Sequence, residues 1–427
     1  MVKIGVFSDT HIGKSTPANI GELRRQAYRH AFTEAIDIFI RESVNCVIHA
    51  GDLFQKESMT PNDTVFVKSE LQRLVDKIRE KNGSAPPIFL LRGNHDGTAA
   101  ELSRLDYVDH PLAQYLKLFG DKTLRGEAEY YDVGGVRIVG IAYHIYIESK
   151  YKEIKPVVKQ CFADHSEQNI LVVHNFIKGY HNIPPGVPDY NAYSLDDFAD
   201  LPVQMVITGH YHTKLAPMKT STKQFLSSCA TESEDLSDEG EHGVWIIDEN
   251  LKPQFETIKP LHKIHSVQIG KEDSTKSLDW FIETAISETE SYVNLLQQTG
   301  ANGIIRIVLS GRTDSEPYAI ETSLEPKLAE TRQANPQLIH SEIVNNVRNI
   351  HRTAQLPAIA VSGIDYAAEV LKPLGELQPE AAKLAEEIQL ALDEKASEKT
   401  QQLTPSDRQP FVLRWVEILR KTKVETQ

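Results

Sequence analysis

VKIGVFSDTH, at residues 2–11, joins an apolar strand pattern to an aspartate and a histidine. Residues 2–7 form a short β-branched run of the kind found in buried strands of α/β sheets. Asp9 and His11 follow closely, two residues apart. Side chains at this spacing on an extended segment point to the same side, so the two can share a metal ion. The stretch therefore predicts a strand whose carboxyl end carries two metal ligands.

The same arrangement recurs along the first 262 residues. Further apolar runs occupy residues 46–50, 88–91, 136–141, 170–173 and 205–208. Helical patterns lie between them at residues 23–43, 61–80 and 99–119. Four of the runs are closely followed by polar groups, which are Gly51-Asp52, Gly93-Asn94-His95-Asp96, His174 and Gly209-His210-Tyr211-His212. The alternation predicts a layered α/β fold, and ligands in such folds bind at the carboxyl ends of strands.

Five strand ends that deliver aspartate, asparagine and histidine to one rim predict a two-metal site. Asp52 is the candidate for a carboxylate that bridges two ions about 3.5–4 Å apart. Nitrogen and oxygen donors favour manganese, iron or zinc, and imidazole argues against magnesium alone. We expect His95 beside the metals, where it can protonate a leaving oxygen, with Asp96 or a backbone group orienting its other nitrogen. His49, a lone histidine in a strand, is more simply a packed side chain.

The order D-x-H, G-D, G-N-H-D, H, G-H-x-H resembles the calcineurin-like metallophosphoesterase superfamily, and the variants here look most like the nuclease subunit of the SbcD type. The resemblance is strong over residues 1–262 and implies a layered α/β/β/α sandwich holding two divalent ions, with manganese favoured. One ion would be held by Asp9, His11, Asp52 and His212. The other would be held by Asp52, Asn94, His174 and His210. The resemblance implies that the catalytic residues are His95 and Asp96.

The resemblance also implies a function. Proteins of this type are metal-dependent DNA nucleases that hydrolyse phosphodiester bonds, with DNA ends as the expected substrate, in double-strand-break repair. They act with a coiled-coil, SMC-like ATPase and form homodimers. Two alternatives stay open: a small-molecule phosphodiesterase or phosphatase on the same scaffold, and a DNA-end-binding scaffold with incidental nuclease activity. The long chain beyond the catalytic domain argues against the first, and the full set of ligands argues against the second.

Beyond residue 262 the pattern changes to a small α+β module, expected at residues 263–365. Strands are predicted at 265–269, 304–309 and 358–361, and helices at 274–296 and 338–350. By resemblance this module is a cap that narrows access to the metals and helps to select DNA ends. Residues 366–427 are predicted to be a helical tail. The anchor set of its last helix suits docking in a groove of the ATPase, or packing on its own protein, and consists of Phe411, Trp415, Ile418 and Leu419.

Three surface features of the first domain also carry predictions. The candidate dimer face, which could equally be the core side of surface helices, consists of Val65, Leu71, Leu74, Leu102, Leu105 and Leu112. The candidate phosphate contacts, each of which could be a simple solvated lysine, are Lys14, Lys56, Lys178 and Lys214. The acidic run Glu232–Glu241 is predicted to be a solvated loop.

The composition limits the classes of function. The 427 residues include 46 lysines and arginines against 60 aspartates and glutamates, a formal charge of -14. This charge argues against binding nucleic acid or anionic membrane by bulk attraction, so any DNA surface must be local. Three widely spaced cysteines suit a reducing compartment. Without an 18-residue apolar run or a secretory pattern, we expect an intracellular, cytoplasmic protein of prokaryotic type with no membrane contact.

Overall fold

The computed structural model describes residues 2–55, 60–97, 112–165, 168–184 and 187–350, together with residues 383, 384, 411, 414 and 415. The chain divides into two units, Met1–Asn349 and Ile350–Gln427. In the second unit Leu384 is buried, and Phe411 and Trp415 are helical and partly buried. Ile418, Leu419 and the strand expected at 358–361 lie outside the described residues. Partner binding by the tail therefore stays a prediction.

Two six-stranded sheets form the centre of the first unit. Their strands are β1 (Ile4–Phe7), β2 (Cys46–His49), β3 (Ile88–Leu91), β4 (Leu116–Phe119), β5 (Tyr131–Val133), β6 (Val136–Ile141), β7 (Gln168–Val173), β10 (Met205–Thr208), β11 (Met218–Lys219), β12 (Gln224–Ser227), β13 (Gly243–Ile247) and β14 (Pro253–Thr257). A small separate pair is formed by β8 (Phe176–Lys178) and β9 (Ala192–Ser194). The spatial orders are β14-β13-β1-β2-β3-β4 and β11-β12-β10-β7-β6-β5.

The strands that lead to the predicted ligands lie side by side and run parallel. In the first sheet Ile4 pairs with Cys46 and Val47 pairs with Ile88. In the second sheet Met205 pairs with Ile170. Strands β1, β2 and β3 are buried at every position, as expected of parallel strands covered on both faces. Their carboxyl ends therefore open on one edge of each sheet.

Helices cover both outer faces of the sandwich. They are α1 (Gly21–Glu42), α2 (Pro61–Asn82), α3 (Asp121–Leu124) and α4 (Ile147–Phe162). Residues of α1 and α2 share one core with the first sheet, α4 shares another with the second sheet, and a third core lies between the sheets. The order of layers is thus α/β/β/α, which confirms the fold predicted from the sequence.

Helix α2 shows how local sequence sets an element and which face it buries. Thr60 accepts a hydrogen bond from the Asp63 amide (3.2 Å), Pro61 takes the first turn, and Gly83 ends the helix at φ +74°. Of the candidate dimer face, Val65 is 63% exposed. Three other members are buried in the core, as expected if this face is the core side of surface helices. They are Leu71, Leu74 and Leu112. The members outside the described residues are Leu102 and Leu105.

The second module alternates strands and helices and has a core of its own. Its elements are β15 (Lys263–Ile269), α5 (Leu278–Thr299), β16 (Gly303–Thr313), α6 (Tyr318–Ala334) and β17 (Leu338–Asn349). The three strands are parallel in the order β15-β16-β17. A small apolar cluster of Ile20, Leu236 and Ile304 joins the module to the sandwich. Glu239 adds a polar contact, because it accepts from the Ser266 amide and lies 3.3 Å from His265 Nδ1 of β15.

Two sequence predictions of local structure were wrong, and one helix was missed. The helix expected at 99–119 ends in a strand, because Leu116–Phe119 pairs in parallel with Ile88–Leu91. The helix expected at 338–350 is strand β17, which pairs with β16 along its whole length. Helix α6 was not predicted at all. Among the described residues, no helix is both long enough and apolar enough to cross a membrane.

Candidate metal centre

The predicted ligands converge where the carboxyl edges of the two sheets meet. The first sheet supplies Asp9 and His11 after β1, Asp52 after β2 and Asn94 after β3. The second sheet supplies His174 after β7, and His210 and His212 after β10. The site is thus assembled across the sandwich, from residues as distant in sequence as Asp9 and His210, which are 201 positions apart.

Two groups of side chains overlap at one aspartate. The first group comprises Asp9, His11, Asp52 and His212. The second group comprises Asp52, His174 and His210. In each group one donor atom per residue lies within 4.8 Å of the others. Asn94 adjoins the second group, with its Oδ1 3.3 Å from His174 Nε2. The structure thus brings the expected ligands together in two groups, and their binding of two metal ions stays a prediction.

Asp52 occupies the centre of the cluster and is 1% exposed. Its Oδ1 accepts a hydrogen bond from the His95 amide at 2.8 Å. Its Oδ2 is buried without a hydrogen bond of acceptable geometry among the described residues, although His174 Nε2 lies 3.2 Å away. A buried carboxylate oxygen needs a neighbouring positive charge or donor, and here the charged His174 ring lies in the place that a divalent ion could take. This oxygen faces both groups, as a bridging ligand must.

Four ligand residues have backbone conformations that L-residues rarely adopt. Positive φ angles occur at Asp9 (+50°), His11 (+40°), Asp52 (+58°) and His210 (+74°). Such conformations cost about 1–3 kcal/mol each and persist where surrounding structure holds them. Here backbone hydrogen bonds do so: the Asp9 amide donates to the Gly51 carbonyl (2.9 Å) and the His11 amide to the Asp52 carbonyl (3.1 Å). The strain is concentrated at the turns that aim the ligands.

Glycine makes room for the most buried imidazole. A Cβ at Gly51 would lie 2.1 Å from His174 Nδ1, and one at Gly209 would lie 2.6 Å from the same atom. Gly51 also has φ +106°, a conformation that favours glycine. His174 Nδ1 donates to the Ala50 carbonyl at 2.6 Å. Its Nε2 is thereby turned toward Asp52 and Asn94.

Burial and the charges of neighbouring groups shift the pKa values of the candidate ligands in different directions. The positive charge of His174 holds the pKa of Asp52 well below its ordinary value, although burial opposes this. Burial lowers the pKa of His11 and of His210 to about 3. Burial opposes the shift of His174, but the Asp52 carboxylate raises its pKa to about 9. The cluster therefore holds its carboxylates ionised, as metal binding requires.

His95 and Asp96 occupy the same turn but make different contacts. His95 is half-buried, its Nδ1 donates to the Gln55 carbonyl at 3.0 Å, and its ring meets that of His11 edge-on at 4.9 Å. Asp96 accepts from the amides of Asp52 (2.8 Å), Gly93 (2.9 Å) and Phe54 (3.0 Å). Of the two groups expected to orient His95, the backbone carbonyl is the one observed. Asp96 instead ties the two ligand-bearing turns together.

The acidic run contains a site residue that the sequence did not reveal. His212 Nδ1 donates to Glu234 Oε2 at 2.5 Å, and this hydrogen bond lowers the pKa of Glu234 to about 2. Glu232 is 3% exposed and pairs with the buried Arg24 at 3.2 Å. The expectation of a solvated loop was therefore wrong for Glu232, whereas Glu234 is half exposed and also contacts His212. No local pattern marks Glu234, since its partner lies 22 residues away.

The candidate phosphate contacts are all paired with acids where the structure describes them. Lys14 Nζ lies 3.5 Å from Glu234, Lys178 lies 3.1 Å from Asp189, and Lys214 lies 2.6 Å from Glu241. Lys56 is outside the described residues. A lysine engaged in this way offers DNA less attraction than a free one. The lysines near the site thus do not form an open basic surface.

The candidate ligands of this site lie in a segment that matches a known protein family. A family model described as calcineurin-like phosphoesterase matches residues 2–214. The chain contains a calcineurin-like phosphoesterase domain. The superfamily resemblance drawn from the motifs is thereby confirmed. Calcineurin-like phosphoesterases use divalent metals, and the two overlapping ligand groups of this domain provide a possible two-metal site.

Curated relatives of this phosphoesterase are named DNA double-strand break repair protein Mre11. The Saccharolobus solfataricus protein is 31% identical over 42% of this chain and 42% of its own length. The Sulfolobus acidocaldarius protein is 26% identical over 49% of each, and the Thermoplasma acidophilum protein is 41% identical over 21% of this chain and 22% of its own. The chain thus spans half or less of the length of these relatives.

Two solved structures resemble this chain only loosely. A dimetal phosphatase from Danio rerio covers 57% of this chain and 91% of its own, at 15% identity and a TM-score of 0.35. A purple acid phosphatase from yellow lupin covers 58% of this chain and 49% of its own, at 13% identity and a TM-score of 0.36.

Proposed function

We propose that this protein is a metal-dependent DNA nuclease that hydrolyses phosphodiester bonds at DNA ends in double-strand-break repair. The observation that carries the proposal is the convergence of both ligand groups on Asp52 at the carboxyl edges of the two sheets. The names of the curated relatives supply the substrate class. Asp52 Oδ2, which has no donor of acceptable geometry among the described residues, fits a cation between the groups.

The donor set suits two divalent ions, with manganese favoured over softer metals. Asp9, His11, Asp52 and His212 would hold one ion, and the group of Asp52, Asn94, His174 and His210 would hold the other. Such a pair of ions activates water and stabilises the charge that develops on the phosphate oxygens.

His95 is the proposed general acid. Because its Nδ1 donates to the Gln55 carbonyl, its Nε2 is the ring nitrogen left for the substrate. Protonated at Nε2, it would donate to the leaving oxygen of the cleaved strand. Its amide binds Asp52 Oδ1, so the ring and the bridging carboxylate are fixed to each other. We propose that Asp96 contributes by holding the backbone of both turns.

The proposal also includes a cap, an ATPase partner and a homodimer, none of which is seen among the contacts of the described residues. The module that begins at residue 263 would act as a cap over the metals. The tail, with Phe411, Trp415, Ile418 and Leu419, would bind a coiled-coil ATPase. A homodimer would use the exposed Val65 side of α2. With a net charge of -14 and paired lysines, DNA binding by this chain alone should be weak and sensitive to salt.

The test is a manganese-dependent assay on end-labelled duplex and single-stranded DNA, with a chromogenic phosphodiester and a phosphomonoester measured alongside. We expect cleavage of DNA, and we expect His95→Ala to bind manganese and fold normally while losing most of that cleavage. General acid–base groups typically contribute about 10²–10⁴-fold in rate.

Two results would contradict the proposal. Turnover of the small esters without cleavage of DNA would favour a small-molecule phosphoesterase. A His95→Ala variant that digests DNA at the rate of the unmodified protein would remove the assigned chemistry. Repetition with a candidate ATPase, and with residues 408–427 deleted, tests the role of the tail.

A further inference from the structure

The loop between β12 and β13 places a carboxylate behind one metal ligand. His212 Nδ1 donates to Glu234 Oε2 at 2.5 Å, while His212 Nε2 lies 3.4 Å from Asp9 Oδ1 and 3.2 Å from His11 Nε2. An ionised carboxylate only accepts, so Nδ1 carries a proton. A divalent ion at the group built on Asp9 would take the place of the proton on Nε2 and bind the lone pair of that nitrogen.

The other imidazoles of the site are held differently. His174 Nδ1 donates to a neutral backbone carbonyl, that of Ala50, at 2.6 Å. His11 Nδ1 is buried and has no hydrogen-bond partner among the described residues. A charged acceptor fixes a ring more strongly than a neutral one and makes its other nitrogen a better donor to metal. His212 is thus distinguished by the group behind it.

Glu234 is itself held in place on both sides. Its Oε1 lies 3.5 Å from Nζ of Lys14, whose side chain is 7% exposed. Its amide donates to Asp238 Oδ2 at 3.3 Å. The preceding carbonyl, of Ser233, accepts from Tyr28 Oη (2.7 Å) and from buried Arg24. The carboxylate is half exposed, but a buried lysine lies beside it and the backbone that carries it is fixed by hydrogen bonds.

We infer that Glu234 is a positioning residue, which fixes the His212 ring and strengthens binding of the divalent ion at the Asp9 group. The inference rests on the proposed two-metal site and deepens it. It also predicts an asymmetry, because none of the contacts described for Glu234 reaches His174 or His210. Loss of Glu234 should weaken one ion and spare the other.

The test is titration of the purified full-length chain with manganese, followed by electron paramagnetic resonance of the free ion. Glu234→Ala should weaken one of the two sites by about 10–100-fold, the usual effect of losing such a partner. Glu234→Gln should restore most of this loss, because its amide oxygen can still accept from Nδ1. Glu241→Gln removes the same charge from an exposed part of the same loop and should bind both ions normally.

Other outcomes would overturn the inference. Normal affinity at both sites in Glu234→Ala would show that the carboxylate does not act through His212. Equal weakening in Glu234→Ala and Glu241→Gln would reduce the effect to net charge. Loss of both ions together with a lower unfolding temperature would mean that Glu234 supports the fold instead. If the unmodified protein binds no manganese, the proposed two-metal site is wrong. That result differs from one in which the protein binds manganese but Glu234 has no effect on binding.

Discussion

Substitution of Gly51 by alanine is the sharpest steric test of the site. The new Cβ would lie 2.1 Å from His174 Nδ1, about 1.3 Å short of the 3.4 Å at which ordinary contact begins. The ring cannot stay where it is and keep its 2.6 Å hydrogen bond to the Ala50 carbonyl. Metal–ligand distances tolerate about ±0.2 Å. A shift of the required size therefore removes His174 as a ligand.

Gly83 provides the matched control. It also has a positive φ, +74°, but a Cβ there would meet nothing within 4 Å. Gly83→Ala should thus lose only the conformational term, about 1–2 kcal/mol. Gly51→Ala should lose at least this much, plus one buried hydrogen bond, about 0.5–1.5 kcal/mol, and about 1–3 kcal/mol for forcing a Cβ against a buried ring. The variants should therefore differ by a few kcal/mol in stability, and only Gly51→Ala should lose a metal ion.

Both variants would be compared by thermal unfolding and by manganese titration. We expect Gly83→Ala to bind two ions with normal affinity and Gly51→Ala to lose the ion of the group formed by Asp52, His174 and His210. If Gly51→Ala binds both ions as tightly as Gly83→Ala, the steric reasoning and the assignment of His174 are refuted together.

Three further predictions concern charge and metal. Asp52→Asn should lose affinity for both ions in the same titration, because the shared oxygen no longer carries the charge; two ions seen in a structure of this variant would exclude bridging. Arg24→Met should destabilise the fold by about 3–5 kcal/mol in denaturant unfolding, since it leaves Glu232 buried and unpaired; adding Glu232→Gln should recover part of this, and an unchanged single variant would contradict the pairing. Manganese at about 100 times its dissociation constant should stabilise the protein by about 2.7 kcal/mol per site, reversed by a chelator; an unfolding temperature indifferent to manganese would count against the site.

The parallel strands and the ligands were predictable because their signals are local. The apolar runs at residues 88–91 and 136–141 are bounded by turn residues. The observed strands, Ile88–Leu91 and Val136–Ile141, have the same limits. Each ligand follows such a run within a few residues. Parallel pairing then brings Asp9 and Asp52 to the same edge without further information.

The predictions that failed concern residues whose structure depends on contacts with residues distant in sequence. Residues 338–349 carry apolar side chains at helix-like intervals, but pairing along the whole of β16 makes them a strand. The stretch Leu116–Phe119 likewise becomes a strand only by joining Ile88–Leu91. In the acidic run, Glu232 is buried by an arginine 208 residues away. Composition predicts exposure for such a run and cannot indicate that Glu232 is buried or that the half-exposed Glu234 contacts His212.

The acidic loop has one more consequence, through its contact with the second module. Glu234 touches His212 at one point of the loop, and Glu239 touches Ser266 and His265 of β15 at another. A displacement of β15 would therefore act on the His212 ring through the loop between Glu239 and Glu234. The ring of His174 is hydrogen-bonded to the Ala50 carbonyl of the sandwich and has no such connection. The two ligand groups therefore differ in their supports: His174 is hydrogen-bonded to the backbone of the sandwich, whereas His212 is also connected, through the acidic loop, to the second module.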